Sequence, residues 1–300
     1  MISIRTPRPR FSSRFLLRTD MFASIAFVVW RESVEALLVI GILDAWLVSR
    51  SMETGRARGF LWGGAAAGLA VAGVLAVILL WLGEAFSDDA QTIYQTVIAL
   101  LAAALILQMV FWMRSRARSM RSELESSLST AIAAGSWWGV FALALIAVAR
   151  EGSETVVFIY GILSAGVMGS PLAGILAGLT GFVAAAITYA LLMTGSRVIS
   201  WRVFFRISEI VLLFLACGLL MTGIDGLINL DILPRLSRAL WNSNFLLSDG
   251  TTAGGFFASM TGYRARPNLM QLIVFSGYWI AVLAVIYRPR KGSFSTAAHH

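Results

Sequence analysis

Residues 137–163 run WWGVFALALIAVAREGSETVVFIYGIL, and this stretch decides how the chain is interpreted. A helix of about 20 mostly apolar residues spans the hydrocarbon of a bilayer, and this run is longer than that. Arg150, Glu151 and Glu154 nevertheless lie near its middle. A charged side chain at the bilayer centre costs about 2.5–3.5 kcal/mol. We therefore expect a membrane helix whose charges face a bundle interior, a partner or a water-filled path.

The chain contains other apolar runs of similar length. They lack the alternation of polar and apolar residues that marks barrel strands. The sequence therefore predicts an all-α polytopic membrane protein with seven transmembrane helices in one domain, residues 21–287. The predicted spans are 22–48, 60–82, 92–113, 137–163, 172–195, 203–228 and 268–287.

The composition excludes several other classes of protein. Hydrophobic residues make up 58% of the chain and charged residues 13%, about half the charge of a soluble domain. One cysteine excludes a disulfide framework, and the two histidines are His299 and His300. Any bound metal is therefore expected to have oxygen ligands. We predict no enzymatic activity and no permanently bound cofactor.

The basic residues are almost all arginines at the ends of the apolar runs, which favours membrane orientation over nucleic-acid binding. The second and fourth connections contain no basic residue. By the positive-inside rule the odd connections and the tail, residues 288–300, are cytoplasmic, and the N-terminus is outside. The arginines of the odd connections are Arg50, Arg56, Arg58, Arg114, Arg116, Arg118, Arg121, Arg197 and Arg202.

Three other segments complete the prediction. Residues 1–20 carry five arginines, which the positive-inside rule would place in the cytoplasm and not outside. We therefore interpret these residues as an extension that is not translated, with the true start at Met21. Residues 114–136 predict a short amphipathic helix on the inner surface. Residues 229–267 predict a partly folded external cap.

The charged motif of residues 150–154 occurs twice. Residues 31–35 read Arg-Glu-Ser-Val-Glu and residues 150–154 read Arg-Glu-Gly-Ser-Glu, so both are R-E-x-x-E. With the predicted orientation, the first helix runs inward and the fourth outward. Helices 1–3 and 4–6 are therefore predicted to form an inverted repeat, with a seventh helix added. Transporters commonly bind their substrate near the midplane of such repeats.

The spacing of the motif suggests a cation site. Residues i and i+3 share one helix face, so each copy points two carboxylates the same way. Arg31 and Arg150 would balance part of the charge and a hard cation the rest. The alternative is that each motif is a buried ion-pair clamp between helices. The predicted metal ligands are Glu32, Glu35, Glu151 and Glu154.

Further acidic residues could line a path through the membrane. They are Asp44, Glu84, Asp88 and Asp89. Asp44 is interpreted either as an exit ligand or as an anchor in helix packing. Three other interpretations are structural: Arg206 pairs with Glu209, Asp225 is solvated, and Met109 packs in the core.

With these motifs in seven spans, the chain resembles the high-affinity iron permeases, or oxidase-dependent iron transporters, including bacterial members of the Efe type. Their hallmark is R-E-G-x-E in the first and fourth helices. Residues 150–154 match it fully, and Ser33 replaces the glycine in the first copy. Phe111-Trp112-Met113 and residues 246–271 also look like family segments, so the resemblance covers about residues 21–287.

The resemblance implies transport of Fe³⁺ or Fe²⁺ into the cytoplasm across the plasma (inner) membrane. It also implies that the four motif glutamates are the iron ligands. A separate periplasmic or extracellular oxidase, peroxidase or iron-binding protein would then be the partner, together with the lipid bilayer. The alternatives are transport of another divalent cation such as lead or manganese, and a non-transporting membrane partner of a redox protein.

Overall fold

The structure, a computed structural model, describes residues 11–49, 54–86, 88–116, 137–165, 171–194, 201–245 and 252–287. These residues form eight helices and no strand. The helices are α1 (Phe11–Ser49), α2 (Thr54–Ala85), α3 (Asp88–Arg116), α4 (Trp137–Ala165), α5 (Pro171–Met193), α6 (Trp201–Asn229), α7 (Thr252–Thr261) and α8 (Leu269–Ile286).

Five of these helices are long and apolar enough to cross a membrane, namely α2, α3, α5, α6 and α8. The all-α, multi-pass character of the chain is therefore confirmed. Helices α1 and α4 have 39 and 29 residues, which is ample length at about 1.5 Å per residue. They do not meet the composition of an ordinary span, because each carries an R-E-x-x-E motif. Seven crossings remain a prediction.

The two motif-bearing helices lie at the centre of the bundle. Helices α1 and α4 contact each other, and each also packs extensively against one long apolar helix: α1 against α5, and α4 against α2. Helix α3 packs mainly against α6. The largest buried cluster joins residues of α1 to α6 and α8, and it contains Cys217, which is fully buried. The motifs are thus held by packing on several sides.

Glycines allow the closest of these helix contacts. A Cβ placed on Gly68 of α2 would lie 2.8 Å from the backbone nitrogen of Ala149 and from the backbone oxygen of Leu145, both in α4. A Cβ on Gly181 of α5 would overlap the backbone oxygen of Ala26 in α1. The helices therefore touch backbone to backbone, as small residues permit in membrane proteins.

Helices α6, α7 and α8 are joined at one end of the bundle by a polar network. Asp225 of α6 accepts hydrogen bonds from Arg264 at 2.9 Å and from Gln271 of α8 at 2.5 Å. Gln271 also completes a capping box with Asn268 at the start of α8. Asp225, which was expected to be solvated, is 29% exposed, and its carboxylate also joins α8 to α6.

Some predictions fall on segments that the structure does not describe. These are most of the surface helix expected at 114–136, the tail at 288–300 and the first ten residues. The expected cap at 229–267 is described for residues 229–245 and 252–267, which contain irregular backbone and α7. Helix α1 begins at Phe11, and the start at Met21 stays a prediction.

Candidate metal-binding site

The first motif forms a closed ion-pair cluster on α1. Arg31 donates to Glu32 at 2.7 Å and to Glu35 at 2.5 Å. The same guanidinium donates to the sulfur of Met109 on α3 at 2.8 Å. Arg31 and Glu32 are almost completely buried, and Glu35 is 15% exposed. Arg31 therefore neutralises part of the charge of both carboxylates in the interior of the bundle.

The second motif has the same charged residues in a more open arrangement on α4. Arg150 donates through Nε to Glu154 at 3.0 Å, whereas its distance to Glu151 is 4.0 Å. The guanidinium is 44% exposed and lies 4.7 Å from the ring centre of Trp112 on α3. A cation–π contact of this kind holds the guanidinium on its aromatic face.

A cavity of about 170 Å³ adjoins the second motif. It is lined by Leu105, Gln108, Met109, Trp112, Arg150 and Glu154. Met109 also contacts Arg31 of the first motif. One face of α3 therefore borders both motifs, and the cavity gives Glu154 an open side.

Three of the four predicted ligands come together. One carboxylate oxygen from each of Glu32, Glu35 and Glu151 lies within 4.8 Å of the other two. Glu154 is outside this triplet and bonds to Arg150. The cluster joins α1 to α4, so it depends on the packing of the two motif helices.

The cluster has more acceptors than donors. Among the described residues, the Oε2 atoms of Glu32, Glu151 and Glu154 are buried and have no hydrogen-bond partner. Buried polar atoms are nearly always satisfied, and several neighbouring carboxylates stay ionised in a low dielectric only with compensating positive charge. A hard cation with oxygen ligands would supply both the charge and the missing contacts.

The other acidic residues have different surroundings. Asp44 forms a bidentate ion pair with Arg58 of α2, in which its two carboxylate oxygens accept hydrogen bonds at 2.6 and 2.7 Å. Glu84 is exposed near the end of α2. The side chains of Asp88 and Asp89 lie outside the described part of the chain. A role of these four residues in a path stays a prediction.

Sequence reasoning missed the contribution of α3. Glu209 pairs with Arg114 of α3 at 2.7 Å, not with Arg206 as expected from their spacing. Met109 and Trp112 contact the motif arginines, although Met109 was expected only to pack. Residues 105, 108, 109 and 112 have the spacing of one helix face, and this pattern was the available signal.

The fold and the carboxylate cluster define a multi-pass helical membrane protein with charged groups buried in its core. The chain belongs to the iron permease FTR1 family, whose profile matches residues 21–293. The predicted family resemblance is therefore confirmed. Because this is a family of permeases, the expectation that the chain is not an enzyme is confirmed as well.

Curated relatives agree with the family. The chain is 26% identical over 277 residues to the ferrous iron permease EfeU of Yersinia pestis, covering 90% of this chain and 95% of the relative. It is also 26% identical over 269 residues to ferrous iron permease EfeU of an Escherichia coli strain, covering 89% and 96%. No solved structure matches the chain.

Proposed function

We propose that this protein is an iron permease that carries iron across the plasma membrane through a carboxylate site between α1 and α4. The observation that carries the proposal is the triplet of Glu32, Glu35 and Glu151, drawn from both motifs. Family membership supports iron as the cargo. The oxygen-only ligand set is suited to a hard cation.

We also propose that α1–α3 and α4–α6 form an inverted repeat within seven membrane crossings. The glycine contacts support this relation. Gly181 faces atoms of residues 26, 29 and 30, which precede Arg31 by five, two and one positions. Gly68 faces the same kinds of atom in residues 145, 148 and 149. These precede Arg150 by the same three intervals.

The strongest helix pairings agree with this symmetry, although α3 also packs against α4 and the described residues show no comparable contact between α6 and α1. Exchanging the two halves replaces α1 by α4 and α2 by α5. The extensive α1–α5 contact then becomes the extensive α4–α2 contact, and the α1–α4 and α3–α6 contacts map onto themselves. Such pairing is expected when two related halves pack around a pseudo-two-fold axis, with the substrate site at their interface.

The different surroundings of the two arginines suggest a route by which iron reaches the triplet. Arg31 is bonded to both glutamates of its motif, whereas Arg150 contacts Glu154 closely and borders the open cavity. We propose that iron approaches the triplet past Glu154. The ion then replaces part of the positive charge that Arg150 supplies to the glutamates of the second motif. The triplet then holds the ion until the two halves move against each other.

The remaining parts of the proposal concern orientation, cargo and partner. The absence of basic residues from the second and fourth connections supports a cytoplasmic C-terminus. The ferrous name of the relatives favours Fe²⁺ as the cargo, whereas the oxygen-only ligand set also suits the harder Fe³⁺. A separate periplasmic redox or iron-binding protein would deliver the ion, as the family resemblance implies.

Uptake of labelled iron into cells that lack other iron importers tests the proposal. Glu35→Gln and Glu151→Gln keep the side-chain size and remove the charge, so we expect at least tenfold slower uptake at unchanged protein abundance. Glu209→Gln is the matched control, because Glu209 is also a carboxylate paired with arginine but lies outside the triplet.

Two results would contradict the proposal. Normal uptake in both cluster variants would show that the motifs are only ion-pair clamps between helices. If excess manganese reduced the uptake of labelled iron as strongly as excess unlabelled iron does, the site would be one for divalent cations in general. Comparing uptake under reducing and oxidising conditions separates Fe²⁺ from Fe³⁺.

A further inference from the structure

A second polar cavity lies at the end of the bundle where α6 finishes and α8 begins. It has a volume of about 400 Å³. Asp225 and Asn229 line it from the last turns of α6, and Asn268 and Gln271 line it from the start of α8. The apolar spans of these helices end at Asn229 and begin at Leu269. The cavity therefore lies at the depth where lipid head groups meet water.

The charge of this cavity is positive. Arg235, Arg238 and Arg266 line it, and Asp225 is its acidic residue. Asp225 is already neutralised by Arg264, which pairs with it at 2.7 Å. Among the described residues, neither Arg235 nor Arg238 has an acidic partner within 4.0 Å. The cavity thus presents unpaired guanidinium groups together with amide groups that can donate hydrogen bonds.

The segment that carries these arginines also exposes large apolar side chains. Ile232 is 63% exposed, Leu236 54% and Trp241 47%. They alternate with Arg235 and Arg238 along the chain. Apolar and aromatic residues interleaved with arginine are typical of segments that lie in the membrane interface. In a lipid layer, the apolar side chains would contact acyl chains and the arginines would contact charged head groups.

We propose that this cavity binds the phosphate-bearing head group of an anionic phospholipid. Guanidinium groups bind phosphate oxygens by two parallel hydrogen bonds, which are stronger than hydrogen bonds between neutral groups. Arg235 and Arg238 supply the charge, while Asn268 and Gln271 frame the cavity from α8. The acyl chains lie over Ile232 and Leu236. The site is separate from the carboxylate cluster and does not depend on iron transport.

Native mass spectrometry of the full chain released from detergent tests this site. The probe is phosphatidylglycerol, compared with phosphatidylcholine at equal concentration. We expect phosphatidylglycerol to remain bound to the native chain at low micromolar concentration. Each arginine near an anionic lipid contributes about fivefold in affinity, so Arg235→Gln with Arg238→Gln should weaken binding about 25-fold.

The control is Arg56→Gln with Arg206→Gln, which makes the same change of charge. Both arginines are exposed, and they lie near the starts of α2 and α6 rather than at the cavity. This variant should bind phosphatidylglycerol like the native chain. If both double variants lost affinity for phosphatidylglycerol equally, the proposed site would be overturned, because the loss would then depend only on the net charge of the protein.

Two further results would also overturn the proposal. If inorganic phosphate or glycerol phosphate displaced the lipid at equal concentration, the cavity would be a site for small free anions. If the Arg235 and Arg238 variant instead changed the number of chains per particle, the exposed segment would be an interface between copies. Retained iron uptake in this variant keeps the result distinct from failure of the permease proposal.

Discussion

Arg31 and Arg150 hold the same place in two copies of one motif, yet their environments differ. Arg31 is fully buried and bonds to Glu32, Glu35 and Met109, whereas Arg150 is 44% exposed. Removing one partner of a buried charge cluster leaves an uncompensated charge and costs about 3–5 kcal/mol. Arg150 borders an open cavity, so the charges left by its removal can be compensated more easily than those left by removal of Arg31.

The two arginines are therefore expected to differ in their effect on stability. Arg31→Ala should lower the melting temperature of the detergent-purified protein strongly, because two buried carboxylates lose their counter-charge. Arg150→Ala should lower it by only a few degrees. Thermal unfolding followed by tryptophan fluorescence measures both variants. A similar loss in the two would show that the exposed guanidinium is as important for folding as the buried one.

The sequence predicted contacts within a helix and missed contacts between helices. Arg31 to Glu35 and Arg150 to Glu154 follow from their separation by four residues, which any α-helix brings together. The pairing of Glu209 with Arg114 depends on where α3 packs against α6. Spacing along one chain segment carries no information about that distance.

Among the helices, the α2–α4 and α1–α5 pairs approach closely at glycines, of which Gly68 and Gly181 have matching contacts. Gly68 and Gly181 face backbone atoms of the neighbouring helix, whereas a methyl group added at Gly73 or Gly178 would have no atom within 4 Å. A methyl group at the first pair must push two helix backbones apart. At the second pair it enters open space and improves helix propensity.

Alanine substitution separates these two kinds of glycine. Gly68→Ala and Gly181→Ala should each cost about 1–3 kcal/mol through overpacking. Gly73→Ala and Gly178→Ala, on the same two helices, should be neutral or slightly stabilising. Melting temperatures of the four variants give the comparison. Equal tolerance at all four positions would contradict the backbone contact and remove its support for the repeat.

Composition alone was sufficient to predict that the chain is an all-α membrane protein. The five ordinary spans are evident from length and hydropathy. Helices α1 and α4 were recognisable only because their charges recur as one motif. The network of Asp225, Arg264 and Gln271 was not predictable, since it joins residues up to 46 positions apart.

The burial of Cys217 makes the native chain well suited to chemical mapping of its two faces. Its thiol is 0% exposed, and the sequence contains no other cysteine. A bulky maleimide that does not cross membranes should therefore leave the native chain unlabelled, and a cysteine introduced at one exposed site would be the sole target.

Two such sites decide the orientation of the chain. Phe86→Cys, in the connection after α2, should react in intact cells, and Arg56→Cys, at the start of α2, only after the membrane is opened. The reverse pattern would invert the proposed orientation. Because the single native thiol is buried, a cysteine introduced in any loop can be labelled selectively, and the native cysteine does not have to be removed first.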